Sequence, residues 1–324
     1  METRLLERAN MPFKTIPAAG VHGVSLVTLP GNIFRLVRGF LASLLILNEY
    51  KPDVMFFTGG YVAVPMAVAG LHIPSFLFVP DIEPAFALKT LAFFAEKIAV
   101  VAKESFRYFK HRERLVLTGY PTRADLSRWT RFNARQHFGL TSESPVLLVV
   151  GGSKGAHSIN IAVLENLSSL LKRAQVIHIT GELDWQTVES KANGLTGVQA
   201  GRYHAFPYLH EDMGAALAAA DLVISRAGAS TLGEYPMFGL PAILVPYPYA
   251  WQYQKVNADS LVNNGAALIL EDGKLSEQLI PTIDDLFSQP QKLASMRIAV
   301  RKLSRPDAAA EIGRQLLALC GGRS

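Results

Sequence analysis

Short, mostly apolar runs alternate with longer helical segments along most of the chain. Four such runs are Asp53–Phe57, Ser75–Val79, Val146–Val150 and Leu222–Ile224, and each precedes a segment that contains glycine or proline. Runs of this length without regular polar alternation are typical of strands buried on both faces. Because the strands alternate with helices and no hairpin signal separates them, the pattern predicts an α/β fold with parallel sheets.

The strand–helix pattern occurs twice and is interrupted by a polar, irregular stretch after Arg123. We therefore predict a first lobe at residues 1–123, a connection at 124–140 and a second lobe at 141–324. The last helices are candidates for packing back on the first lobe. The predicted architecture is two Rossmann-like lobes with a cleft between them.

Composition narrows the class of protein. The chain has 324 residues, of which 49% are hydrophobic and 18% charged, and this composition excludes a disordered chain. The single cysteine, Cys320, rules out an internal disulfide. The net charge of +5 points to an anionic partner. Nucleic acid is disfavoured because the chain has no zinc-finger spacing and no basic run with interleaved aromatic residues.

Two apolar stretches invite a membrane interpretation. Val54 to Pro80 carries no formal charge, but its glycines and prolines divide it into pieces shorter than the roughly 20 residues of a spanning helix. Ile33 to Leu47 is a helix rich in large apolar residues, with Arg35 and Arg38 near its start. We favour a core helix there over an apolar patch with a basic rim that rests on an anionic bilayer.

Three loops of the second lobe are expected on one rim of its sheet. The first, Gly151 to Ala156, reads GGSKGA; its glycines let backbone N–H groups approach a phosphate, while Ser153 and Lys154 add a donor and a charge. It is neither a Walker A loop nor a dinucleotide-binding motif, and an ordinary tight turn explains it equally well.

The second loop, Ser225 to Glu234, reads SRAGASTLGE and follows an apolar strand. We predict a tight turn into a helix capped by Ser230 or Thr231, whose N-terminus welcomes an anion. Glu234 would help to cap this helix or accept hydrogen bonds from a sugar diol. The third loop, Tyr247 to Asn257, offers Gln252, Gln254 and Asn257 to a sugar or base. Together the loops suit a nucleotide-sugar pocket.

These motifs resemble a known enzyme family. GGSKGA, RAGASTLGE, GLPAILVPYP and QKVNA in the second lobe, with TGGYVAVPMAVAG and GYPTR in the first, are similar to the motifs of MurG-type glycosyltransferases. Members of that family transfer N-acetylglucosamine from UDP-GlcNAc to a lipid-linked muramyl-pentapeptide at the inner face of the bacterial membrane, in peptidoglycan synthesis. The resemblance covers nearly the whole chain.

The resemblance implies the two-lobed glycosyltransferase type B fold (GT-B) and an inverting reaction without metal or cofactor. Ser153 would contact phosphate or sugar, Glu234 the ribose, Gln254 the GlcNAc and Leu209 the uracil. The implied donor-binding residues are Arg123, Gly152, Ser153, Lys154, Gly155, Leu209, Arg226, Ala229, Ser230, Thr231, Leu232, Gly233, Glu234, Gln254 and Asn257. The implied acceptor-side residues are Gly59, Gly60, Tyr61 and Asp81.

The chain departs from the family pattern in two places. It begins downstream of the family's first strand and its glycine-rich, histidine-containing loop, so we expect an incomplete first lobe. The family's histidine-glutamate-glutamine-asparagine segment is replaced by Phe78 to Asp81. Asp81 is the nearest candidate for a catalytic carboxylate, and the general base stays unassigned.

The sequence leaves several functions open. The leading hypothesis is a UDP-GlcNAc-dependent transferase that lies peripherally on the cytoplasmic face of an anionic membrane and uses a lipid-linked acceptor. A related transferase with another lipid acceptor, such as a diacylglycerol, shares the same donor motifs. A non-catalytic nucleotide-sugar-binding relative is the third alternative. The oligomeric state is not assigned.

Overall fold

The computed structural model describes residues 6–7, 10–20, 24–25, 27–152, 155–249 and 253–321. It contains two sheets, one in each lobe, and every strand pairing in them is parallel. The two apolar-run patterns in the sequence therefore correspond to two α/β units, and the predicted fold class is confirmed.

The first lobe has a four-stranded sheet in the order β1-β2-β3-β4. Its strands are β1 (Met55–Phe57), β2 (Ser75–Val79), β3 (Lys97–Val100) and β4 (Leu115–Leu117). Its helices are α1 (Leu29–Tyr50), α2 (Ala63–Ala69) and α3 (Phe86–Phe94). All five residues of β2 are buried, as expected for a central strand with helices on the sheet.

Helix α1 contradicts the interpretation of this segment as a core helix. In this 22-residue helix only Gly39, Ser43 and Leu47 are buried. Six exposed large apolar side chains share one face of it: Ile33, Phe34, Val37, Leu41, Leu44 and Leu45. The helix contacts the lobe along the stripe that contains Gly39, Ser43 and Leu47, so most of its large apolar residues lie on the opposite face. Within the described residues, α1 is also the helix that meets the length and hydropathy of a membrane span.

The second lobe has a six-stranded sheet in the order β10-β9-β8-β5-β6-β7. Its strands are β5 (Val146–Val150), β6 (Gln175–Ile179), β7 (Tyr203–Phe206), β8 (Leu222–Ser225), β9 (Ala242–Leu244) and β10 (Ala267–Ile269). From β5 the chain builds outward through β6 and β7, and then returns to the other side of β5 with β8. The order reverses there, and such a switch point opens a ligand crevice at the carboxyl ends of the strands.

Helices cover both faces of this second sheet and reach back toward the first lobe. They are α4 (Arg131–His137), α5 (His157–Glu165), α6 (Leu167–Arg173), α7 (Trp185–Asn193), α8 (Gly197–Ala200), α9 (Met213–Ala219), α10 (Thr231–Phe238), α11 (Tyr253–Asn263), α12 (Leu275–Ser288), α13 (Pro290–Lys302) and α14 (Ala308–Gly321). Two apolar clusters, one on each face of the sheet, form the core of this lobe.

Helices α4 and α14 show which parts of the sequence belong to which lobe. Helix α4 starts at a capping box formed by Thr130 and Asn133 and packs against α9, so the second lobe begins within the stretch expected to be a connection. The last helix, α14, packs against the first sheet: Ile312 joins the buried cluster that includes Phe76. The chain therefore crosses between the lobes a second time near its end.

Candidate functional site

A cavity of about 1240 Å³ lies at the carboxyl ends of β5, β6 and β8. Loops from all three strands form its walls, as the reversal of strand order beside β5 requires. Nine residues that the sequence assigned to donor binding line it: Arg123, Gly152, Gly155, Leu209, Arg226, Ser230, Thr231, Glu234 and Gln254. Residues distant in the sequence are thus brought together around one space of ligand size.

The loop after β5 needs its glycines for conformational reasons. Gly152 and Gly155 have φ angles of +87° and +79°, which other residues rarely adopt. A Cβ atom on Gly155 would also collide with the carbonyl oxygen of Thr180. The loop therefore folds tightly over the end of β6. Ser153 and Lys154 lie outside the described residues, and their roles stay predictions.

The loop after β8 leads directly into α10, but its predicted side-chain cap is wrong. Ser230 occupies the N-cap position without a side-chain capping bond, and the Thr231 hydroxyl donates to the carbonyl of Gly228 at 2.7 Å. Backbone bonds make the turn instead: the N–H of Glu234 donates to the Ser230 carbonyl at 2.8 Å. The positive end of α10 is thereby turned toward the cavity that Ser230 and Thr231 line.

Glu234 places a perturbed carboxyl group in the cavity wall. Burial raises its pKa to about 6, against the opposing effects of the Arg123 charge and a hydrogen bond from Ser230. A partly desolvated carboxylate gains from new hydrogen-bond donors, because burial has removed its water. Two vicinal hydroxyl groups of a sugar would supply such donors.

Arg226 lines the cavity, but its charge is already paired. It forms an ion pair with Asp272 and donates to the Val245 carbonyl at 3.1 Å and to the Ser158 hydroxyl at 2.8 Å. Its guanidinium also lies 5.2 Å from the centre of the Tyr247 ring. Arg226 therefore joins the loops after β8, β9 and β10 at the cavity wall. The positive charge of Arg226 is therefore largely balanced within the protein.

Arg123 and Gln254 both line the cavity. Arg123 is exposed and donates to the His210 carbonyl at 3.1 Å. This bond holds its guanidinium against the second lobe. Gln254 lies in the first turn of α11, and its side-chain oxygen accepts from the N–H of Tyr247 at 2.9 Å. This bond directs the amide group of Gln254, whose nitrogen can then donate to a sugar oxygen.

Four residues assigned to the donor do not line the cavity. Ala229 belongs to the turn before α10, and Leu232 packs into the apolar clusters on either side of it. Gly233 allows close packing, because a Cβ atom there would lie 2.8 Å from the Tyr120 ring. Asn257 is fully buried and its amide is bonded to other protein groups. It does not line the cavity, and its assignment to the donor stays a prediction.

The acceptor-side candidates lie on the first lobe, outside this cavity. Gly59 and Gly60 follow β1 with φ angles of +114° and +85°, and the Tyr61 ring after them is half exposed. Asp81 follows β2, where burial raises its pKa against the opposing bond from Asn257. These residues end neighbouring strands of the first sheet and so share one edge of it.

A buried polar chain near the cavity had no signal in the sequence. Its bonds are His178 Nδ1 to the Tyr203 hydroxyl at 2.8 Å, His178 Nε2 to Asn160 Oδ1 at 3.0 Å and Asn160 Nδ2 to Asp184 Oδ2 at 2.7 Å. Burial lowers the pKa of His178 to about 3, so this histidine is neutral. Asp184 in turn bonds to the ring of His157 at 2.7 Å. This row of hydrogen bonds holds the cavity-lining residues Asp184 and His157 in place. The spacing of these residues in the sequence could not reveal the bonds between them.

Metal ligands are the remaining class of site. Within the described ranges, no group of three or more histidine, cysteine, aspartate or glutamate side chains is arranged to hold a metal ion. The cavity geometry is built instead from glycine loops, helix ends, one perturbed carboxyl and paired charges.

Known proteins share both the sequence and the fold. Residues 146–312 match the glycosyltransferase family 28 C-terminal domain, and residues 1–100 match the N-terminal domain of that family. Two relatives are named UDP-N-acetylglucosamine–N-acetylmuramyl-(pentapeptide) pyrophosphoryl-undecaprenol N-acetylglucosamine transferase. The one from Desulforamulus reducens is 36% identical over 96% of this chain and 86% of its own length. The one from Desulfitobacterium hafniense is 39% identical over 95% and 85%.

Solved structures show the same two-lobed fold. MurG from Acinetobacter baumannii superposes with a TM-score of 0.75 at 24% identity, covering 98% of this chain and 88% of that one. A UDP-GlcNAc 2-epimerase from Neisseria meningitidis has a TM-score of 0.70 at 12% identity over the same shares. At such identities the likeness shows the fold alone. The domain matches and the relatives above 30% identity show more: this chain belongs to glycosyltransferase family 28.

Proposed function

We propose that this protein transfers N-acetylglucosamine from UDP-GlcNAc to a lipid-linked muramyl-pentapeptide, as the names of its relatives describe. The observation that carries the proposal is the cavity at the switch point of the second sheet. It combines a glycine loop, a helix N-terminus and the Glu234 carboxyl, which match the phosphate and sugar groups of a nucleotide sugar.

Each wall of the cavity suits one part of this donor. The glycine loop after β5 and the N-terminus of α10 offer backbone N–H groups to the diphosphate. Glu234 suits the ribose diol, Leu209 the flat face of uracil, and the Gln254 amide the N-acetylglucosamine hydroxyls. Arg123 lies where its exposed guanidinium can approach the donor from the end of the first lobe.

The proposed reaction is a single displacement with inversion. A hydroxyl oxygen of the acceptor sugar bonds to C1 of N-acetylglucosamine from the face opposite UDP, and the bond from C1 to the phosphate oxygen breaks. A base accepts the proton of the attacking hydroxyl, and UDP leaves with the electron pair. Charge builds up on the leaving oxygen, where preorganised N–H groups and the helix end stabilise it.

Calorimetry followed by an acceptor assay tests this function. The purified protein is titrated with UDP-GlcNAc and with UDP-glucose in the presence of EDTA. Transfer is then measured by mass spectrometry with a lipid-linked muramyl-pentapeptide and, in parallel, with a diacylglycerol. Selective UDP-GlcNAc binding and transfer to the muramyl acceptor support the proposal. Transfer to diacylglycerol alone would mean that the proposed acceptor is wrong. Donor binding without any transfer would favour a non-catalytic nucleotide-sugar-binding protein.

We further propose that the protein lies peripherally on an anionic membrane surface through α1. The exposed apolar residues of α1 form one face, and the exposed Arg35 and Arg38 flank it near the start of the helix. The Arg38 guanidinium lies 6.0 Å from the centre of the Phe34 ring. An apolar helix face with basic neighbours binds the boundary between lipid headgroups and acyl chains, and an acceptor with a lipid tail would be presented there.

The double substitution Phe34→Glu, Leu45→Glu should lower binding to vesicles of mixed neutral and anionic lipid by about tenfold or more, because it removes apolar area and adds repelled charges. Sedimentation with the vesicles measures the bound fraction. Val198→Glu is the control for an exposed apolar residue changed to glutamate, since Val198 is at least as exposed as Phe34 and Leu45 but lies on the second lobe. Equal binding by the double variant and the wild type would exclude α1 as the membrane contact.

A further inference from the structure

Helix α11 lies against both lobes and turns one polar face toward the first. Asn257, Ser260 and Asn264 are spaced by three and seven residues, so they share a face of the helix and its end. The Ser260 hydroxyl and the Asn264 amide both donate to Glu104 of the first lobe, at 3.3 and 3.2 Å. The same helix carries Gln254 at the cavity, so it joins the donor site to the lobe interface.

Asn257 makes the strongest connection on this face. Its oxygen accepts from the N–H of Ile82 at 3.0 Å, and its nitrogen donates to Asp81 Oδ1 at 2.7 Å and to the Ala227 carbonyl at 3.2 Å. The residue is fully buried. One amide therefore binds the segment after β2 in the first lobe and the start of the donor loop after β8.

The geometry of this contact is rigid for physical reasons. A primary amide has two N–H donors in one plane, and both donors of Asn257 are used in different directions. Buried hydrogen bonds are strong because no water competes, and a bond to a carboxylate is stronger still. Neither loop can shift without breaking one of these bonds.

We propose that Asn257 is a positioning residue for the transfer reaction: its amide holds the acceptor-side segment Asp81–Ile82 against the donor loop at Ala227. The donor cavity lies on one lobe and the acceptor-side candidates on the other, so the reacting groups meet only if the lobes keep a fixed relation. The inference rests on the proposed function. It adds a contact between the two substrate sites that does not itself touch the donor.

Kinetics of Asn257→Ala give the first test. Since misplacing reacting groups by an ångström costs about 100-fold, we expect kcat for transfer to fall by about 10- to 100-fold. The KM for UDP-GlcNAc should stay within about threefold, because the cavity walls are intact. Asn264→Ala is the matched control on the same face: it loses an exposed bond to Glu104 and should keep its kcat within about twofold.

A double-mutant cycle tests the pairing directly. Asn257→Asp sets two carboxylates against each other in a buried place, so we expect a greater loss of kcat than in Asn257→Ala. In the double variant with Asp81→Asn, the amide at position 81 can donate to the carboxylate at position 257. We expect the kcat of this double variant to be about tenfold higher than that of Asn257→Asp alone. If the two substitutions instead combine as the product of their separate effects, the pair is not coupled and the proposal is overturned.

Two further outcomes separate this proposal from others. If Asn257→Ala raises the dissociation constant of UDP-GlcNAc and leaves kcat unchanged, Asn257 is a donor contact and the positioning role is wrong. Small-angle scattering gives a readout that needs no turnover: Asn257→Ala should have a larger radius of gyration than Asn264→Ala and the wild type. An unchanged radius would count against the positioning role even if the wild type proved inactive, in which case the proposed function fails separately.

Discussion

The substitution Glu234→Ala should weaken UDP-GlcNAc binding by about 10- to 100-fold at pH 7.5. Hydrogen bonds to a charged group contribute about 1.5–3 kcal/mol each, and a tenfold change in affinity corresponds to about 1.4 kcal/mol. The Glu234 carboxylate lines the cavity and is largely desolvated, so the donor's diol would provide hydrogen bonds that water does not. Calorimetry with UDP-GlcNAc measures the loss.

The pH dependence identifies the carboxylate as the responsible group. Because the pKa of Glu234 is about 6, the free protein carries a neutral carboxyl group below that pH. Two hydroxyl donors favour the ionised form, so donor affinity should rise as pH increases through about 6 and then level off. Glu234→Gln should flatten this profile, since an amide does not titrate. A wild-type affinity that is independent of pH between 5 and 8 would contradict the assignment.

The same burial affects the stability of the protein without donor. A carboxyl group whose folded pKa is raised contributes stability that is present below its unfolded pKa, 4.5, and is lost as pH rises through about 6. At pH 8 the free energy of unfolding of Glu234→Gln should therefore exceed that of the wild type by about 1–2 kcal/mol, and its unfolding temperature should be higher. At pH 4 the two proteins should differ little. Glu143→Gln, on an exposed loop, is the control for both measurements.

Asp221→Ala should destabilise the second lobe by about 3–5 kcal/mol, since it leaves the buried Arg135 charge and the Val146 N–H without their partner. The Asp221 carboxylate pairs with Arg131, with Arg135 at 2.7 Å and with Arg297 at 3.3 Å, and it accepts from the N–H of Val146 at 2.9 Å. Arg135 is itself buried. The carboxylate joins α4, the start of β5 and α13 at the base of the lobe, opposite the cavity.

The charges and hydrogen bonds around Asp221 determine how its contribution to stability changes with pH. Burial by itself would raise the pKa of Asp221, but the hydrogen bonds from Arg131 and Val146 and the charges of Arg131 and Arg135 outweigh it and hold the pKa below 3.8. A group with a lowered folded pKa contributes stability above its unfolded pKa, and this stability is lost as pH falls through the folded value. The difference between wild type and Asp221→Ala should therefore narrow below about pH 4.

Urea unfolding at pH 7 and pH 3 measures both effects. Asp285→Ala is the matched control, because Asp285 pairs with Lys292 at 2.5 Å on the exposed surface of α12. A surface pair of this kind contributes about 0–1 kcal/mol. A loss of similar size in the two variants would mean that the pair of Asp221 with the buried Arg135 contributes no more to stability than a surface pair.

The sequence was sufficient for the fold and for the position of the cavity. Continuous apolar runs such as Val146–Val150 require burial on both faces, and this requirement predicted parallel strands in both lobes. The glycines of the loop after β5 predicted a close backbone approach to a phosphate or an ordinary tight turn, and Gly152 and Gly155 take φ angles that other residues rarely adopt. These features follow from local sterics and from burial along a few consecutive residues, which the order of residues states directly.

What only the tertiary structure decided were the partners of individual side chains. The sequence could not show that Asn257 forms a hydrogen bond with Asp81, which is 176 residues away in the sequence, or that Arg226 forms an ion pair with Asp272. It also misassigned α1, because an apolar stripe does not reveal whether anything covers it. Periodicity describes one element at a time, whereas the use of a polar or apolar group depends on which distant segment packs against it.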